Sequence, residues 1–113
     1  MGMDPTVTDP DLYRVIFEND RVRILEYRDT PGDKTHTHTH PDTVMCPLTS
    51  FRRRIRQGGR EVEVELHAGS PRWVGAQEHA GENIGDTDTR ALFIELKEPA
   101  PHAVAGSLGP SSA

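Results

Sequence analysis

Between residues 13 and 97 the chain is cut into short runs, none longer than eight residues, and turn signals separate most of them. The runs are 13–18, 21–28, 43–48, 51–57, 61–67, 72–74, 79–84 and 90–97. Asn19-Asp20, Pro31-Gly32, Gly58-Gly59, Ala68-Gly69-Ser70 and Gly85-Asp86 fall in the breaks. An α-helix needs longer uninterrupted stretches, and 10 glycines with 9 prolines tell against a helical bundle. Many short strands with frequent turns indicate a sandwich or barrel. The run 61–67 has the cleanest period of two: Val62, Val64 and Leu66 face one way, and Glu61, Glu63, Glu65 and His67 the other. Gln57-Gly58-Gly59-Arg60 reads as a tight hairpin.

A chain of 113 residues is one domain. Residues 1–12 are polar with two prolines and read as a flexible N-terminal arm, with room for one helical turn between Asp4 and Tyr13. Residues 13–98 form the barrel. Residues 99–113 are Pro, Ala, Gly and Ser with little to bury, and read as a disordered tail. Apolar residues are 34% of the chain and only 5% are aromatic, so the core is lean. A lean core with 13–18 as an exposed edge strand predicts a homodimer.

The net charge is −5, with 13 basic against 18 acidic residues, which argues against a nucleic-acid partner. No apolar stretch approaches the roughly 20 residues of a membrane span. Cys46 is the only cysteine, so no internal disulfide is possible; a reducing, cytoplasmic setting is expected.

Six histidines are many for this length, and three alternate in His36-Thr37-His38-Thr39-His40. Alternate residues of a strand share a face. At about 3.3 Å per residue, an i, i+2 pair of imidazoles converges on one ion, while three in a row span too far. The pair is therefore His36/His38 or His38/His40. Of the other histidines, His67 lies on the Glu-rich face of its run and His102 in the tail. His79, after a Gly-containing turn, is the well-placed third ligand.

These residues resemble the cupin family of small β-barrels. Gly32, five residues, then His38-Thr39-His40 match the start of the family's first motif, G-x5-H-x-H-x3–4-E. Gly69, then His79-x3-Asn83, match its second, G-x5-P-x-G-x2-H-x3-N, with an interval one residue short and Gly75 in place of the proline. The resemblance implies an all-β double-stranded β-helix, or jelly-roll barrel, with His38, His40 and His79 holding one divalent metal. The first motif's glutamate falls at Val44 or Met45, so a three-histidine site is implied, with Asp42 or Gln77 as substitute ligand or supporting partner. Three neutral ligands leave the full charge on the ion and favour an anionic, bidentate substrate.

The resemblance and the ligand set together imply a small-molecule enzyme, a mononuclear-iron, dioxygenase-type oxidoreductase acting on a small organic acid or dicarbonyl. Iron(II) is the favoured metal, with zinc, nickel or manganese as alternatives. Glu78 and Glu82, flanking His79, are candidate general bases. The rival readings are a zinc or manganese isomerase, lyase or hydrolase, and a non-enzymatic metal- or small-molecule-binding barrel. Cys46 reads as a small buried hydrophobe and Trp73 as a plug or dimer contact. One of Arg52, Arg53 and Arg54 is a candidate to enter the cavity.

Overall fold

The Gly58-Gly59 turn does what its sequence demands. In the computed structural model, which describes residues 3–97, Gly58 takes a φ of 58°. That turn joins β5 (Phe51–Gln57) to β6 (Arg60–Leu66) with Gln57 opposite Arg60. The register puts Arg52, Arg54 and Arg56 opposite Glu65, Glu63 and Glu61 on the outer face. It puts Phe51, Arg53 and Ile55 opposite Leu66, Val64 and Val62 on the inner one. Opposite charges outside and the apolar pairs Phe51–Leu66 and Ile55–Val62 inside fix the register, because a one-residue slip would invert both faces.

The other strands are β1 (Tyr13–Glu18), β2 (Val22–Asp29), β3 (His38–His40), β4 (Thr43–Pro47), β7 (Arg72–Val74), β8 (Gln77–Asn83) and β9 (Thr89–Leu96). Two antiparallel sheets face each other, in orders β1-β2-β9-β4-β7 and β3-β8-β5-β6. The expected strands are present within one or two residues, and β8 begins at Gln77. No helix among the described residues is long and apolar enough to cross a membrane.

Between the sheets lie two small apolar clusters. Tyr13, Leu25 and Tyr27 form one, and Met45, Phe51 and Ala91 the other, with Phe93 packed against both. The outer face of the larger sheet is also apolar. Phe17, Ile24, Ile94, Val44 and Trp73 are successive register partners across all five strands. Cys46, expected in the core, is half-buried on this same face, opposite Leu92.

The residues expected as a flexible arm are docked. Pro5–Thr8 forms a helical turn, α1, capped by Asp4, whose carboxylate accepts from the Thr6 amide at 2.8 Å. Pro5 and Asp9 are buried, and Asp9 accepts from the His36 amide at 3.0 Å and ring at 2.9 Å. The expected tail, 99–113, lies outside the described residues.

A polar node joins the two sheets. Arg53 of β5 reaches across to Asp29 of β2 at 2.6 Å, with side-chain exposures of 10% and 0%. Asp29 also accepts from the Tyr27 hydroxyl, the Asn83 amide and the Thr89 backbone. Gly81 makes room for this arrangement, since a Cβ there would stand 2.9 Å from the Arg53 guanidinium. Breaking a buried pair strands an uncompensated charge. Asp29→Asn should therefore cost about 3–5 kcal/mol in chemical denaturation, and Asp29→Asn with Arg53→Met should recover much of it.

Candidate metal centre

His38 and His40 both point inward from β3, with exposures of 1% and 0%. β3 pairs with β8 so that His38 stands opposite His79 and His40 opposite Gln77. The three imidazole centroids are 4.8, 5.0 and 5.3 Å apart. One donor atom from each lies within 4.8 Å of the others. His36 is excluded because the strand does not extend to it. Its ring turns outward to Asp9 and is 80% exposed.

Each ring is held at Nδ1 by an oxygen. His38 donates to the His36 carbonyl at 2.8 Å, His40 to Glu95 at 2.9 Å and His79 to Gln77 at 2.7 Å. This fixes the tautomer and leaves the Nε2 lone pairs for the centre of the cluster. The His40 Nε2 is buried with no hydrogen-bond partner. A buried lone pair without a donor is a costly arrangement in a purely structural core. Phe93 lies parallel to the His40 ring at 5.0 Å, and the Tyr13 hydroxyl is 3.4 Å from His38 Nε2.

Burial, with His38 and His40 beside it, pushes the His79 pKa down to about 3. Burial likewise lowers that of His38. Both rings are therefore neutral, as a ligand must be. Burial raises the Tyr13 pKa, so its hydroxyl stays protonated.

His38 and His79 border a cavity of about 340 Å³ between the sheets. Its walls are largely apolar, including Tyr13, Met45, Phe51, Ile55, Val64 and Phe93. Among the described residues lining it there is no carboxylate.

No protein-family model matches the chain, and no curated protein matches it significantly. Solved structures do. A cupin domain from Bordetella pertussis Tohama I is 29% identical over 77% of this chain and 93% of its own, with a TM-score of 0.72. The chain is a cupin-fold protein. A double-stranded β-helix domain protein from Klebsiella pneumoniae is 18% identical over 75% of this cupin and 70% of its own chain, at a TM-score of 0.61. A predicted oxalate decarboxylase from Thermotoga maritima is 19% identical over 75% and 79%, at 0.54.

In this cupin the residues present fit a divalent metal. They supply three nitrogen donors, each fastened from behind, and an orphaned lone pair among them. Val44 and Met45 offer no fourth ligand, and Glu95 stands behind His40 instead. Gln77 supports His79 in the same way, whereas Asp42 accepts from the Ala76 amide at 2.9 Å and takes no part. Asn83 of the second motif belongs to the Asp29 node at the other end of the cavity.

The structure corrects one assignment. Glu78 and Glu82 are not in the cavity. The alternation that turns His79 inward turns both of them outward: Glu78 is exposed beside the β3–β8 seam, and Glu82 pairs with Arg54 and Arg56. Neither is placed to move a proton at the histidine cluster.

Glu95 escaped the sequence reading, yet β9 signals it. Ala91, Phe93 and Glu95 share the inward face, so a carboxylate occupies a core position. Arg23 holds Glu95 at 2.7 Å and Asp4 at 2.7 Å, so a polar chain runs from α1 to His40.

Two measurements check this centre. Glu95→Gln keeps the shape but removes the charge behind His40, and metal affinity measured by competition with a chelator should fall about 10–100-fold. The unfolded chain takes up protons on histidine below about pH 6.5, but folded His79 resists them to about 3. Metal-free protein should thus lose stability on acidification between those values, by up to about 1.4 kcal/mol per pH unit. His79→Gln should flatten that slope in denaturation curves recorded across the range.

Proposed function

We propose that this cupin is a mononuclear metal enzyme of the dioxygenase type, with iron(II) held by His38, His40 and His79, acting on a small organic acid or dicarbonyl. The observation that carries the reading is the convergence of three imidazole nitrogens beside an apolar cavity whose lining has no carboxylate among the described residues. When bound, the metal supplies Lewis acidity and open positions for a chelating anion and a second small ligand.

The chain's own residues supply orientation and dryness. Glu95, Gln77 and the His36 carbonyl hold the three rings in place. Phe93, Phe51 and Met45 exclude water from the space beside them. Tyr13, protonated and next to His38, is a hydrogen-bond donor at the cluster. A lyase or isomerase that shuttles a proton needs a base in the cavity. With Glu78 and Glu82 outside, the described lining offers no carboxylate base, and this favours oxygen chemistry over the zinc or manganese alternatives.

Protein expressed and purified anaerobically without a metal-affinity column should contain iron and consume oxygen on a panel of 2-oxo acids and 1,3-diketones. His79→Ala should abolish loading by elemental analysis. Tightly held zinc with no oxygen uptake would overturn the reading. A ligand that raises the melting temperature without turnover would support a binding barrel.

A further inference from the structure

The cavity opens on one side, where the free edges β6 and β7 leave the two sheets unjoined. The lining residues that remain exposed are Val62, Arg72 and Trp73, which therefore mark its mouth. Arg72 is opposite the inward-facing Met45 in the β4–β7 register, so its side chain starts from the inner face.

The other inward-facing arginines are neutralised. Arg53 is paired with Asp29, and Arg23 with Glu95 and Asp4. On the outside, Arg14, Arg52, Arg54, Arg56 and Arg90 all meet glutamates. Arg72 has no carboxylate partner among the described residues, and no described part of the cavity lining supplies one. A fixed positive charge at the rim of an apolar, low-dielectric cleft focuses its field on whatever enters.

We propose that Arg72 is a specificity determinant that selects ligands with a second anionic group. Such a ligand chelates at the histidine cluster, fills the apolar cavity with an aromatic or branched hydrocarbon body, and presents a carboxylate to Arg72 at the mouth. A guanidinium is suited to this because it grips a carboxylate through two parallel hydrogen bonds. The proposal rests on the metal reading only for the group that meets the inner end of the ligand.

The probes are 3,4-dihydroxybenzoate and its neutral counterpart 3,4-dihydroxybenzamide, which share chelating oxygens and ring but differ in charge. Each is titrated calorimetrically into zinc-loaded and chelator-treated full-length protein, with and without Arg72→Gln. The acid should bind about tenfold more tightly than the amide to the unmodified chain. Arg72→Gln should reduce that preference to within about twofold, and salt at about 1 M should weaken it in the unmodified chain. Arg72 lies on an exposed edge strand, so the variant is expected to keep the unmodified melting curve.

Equal binding of acid and amide, a preference that survives Arg72→Gln, or no binding of either would overturn the proposal. The two readings fail separately. If zinc does not load but the chelator-treated protein still prefers the acid, the metal reading falls and Arg72 stands. If zinc loads and the preference is absent, the reverse holds.

Discussion

The Asp29–Arg53 pair is the contact on which the barrel's geometry hangs. It is the point where a charge from one sheet is met by a charge from the other, with both nearly out of water. Two sheets with only six buried hydrophobic residues among those described have little apolar area to hold them at a fixed separation. Asp29 compensates by collecting hydrogen bonds from Tyr27, Arg53, Asn83 and Thr89, which come from four different strands or their ends. Such a node is sensitive to loss of any member because the remainder cannot rehydrate. It also neutralises the arginine that lines the interior of the cavity, so charge selection falls to the rim.

At the other pole the same logic serves the opposite purpose. Each histidine is satisfied on its outer nitrogen, while the inner nitrogen of His40 has no partner and that of His38 meets only the Tyr13 hydroxyl. Ordinary core design would close both. The cavity between the poles then follows from the lean composition: with few large apolar side chains, the centre of the barrel stays unfilled. Its wall is apolar because Val62, Val64 and Leu66 must face away from the Glu-Arg ladder that pins β5 to β6.

Much of this was legible in the sequence, and the exceptions have a physical pattern. Turns written as Gly-Gly and strands with clean alternation are local, so β5, β6 and their hairpin were readable to within a residue. His38, His40 and His79 were readable because motif spacing encodes their approach. Glu78 and Glu82 were misplaced because proximity in sequence to His79 was allowed to outweigh the alternation that separates them. Glu95 and Asp9 act over separations of 55 and 27 residues, where no local pattern speaks. Only an acid at an inward strand position betrays the first. The docking of 4–12 likewise depends on partners in β2 and on the approach to β3, which composition does not reveal.

The polar chain Asp4–Arg23–Glu95–His40 ties one of the earliest residues to one of the last strands. His40 meets its carboxylate only when β9 has come into place, and Arg23 braces that carboxylate only when β2 has paired with β9, a contact that closes most of the polypeptide into a loop. Long-range pairings of this kind form late and slowly during folding. The brace behind His40 is thereby tied to completion of the barrel. A nascent or partly opened chain still carries His38-Thr39-His40, but it lacks the brace that makes His40 a strong ligand. The complete brace is thus a property of the finished fold alone.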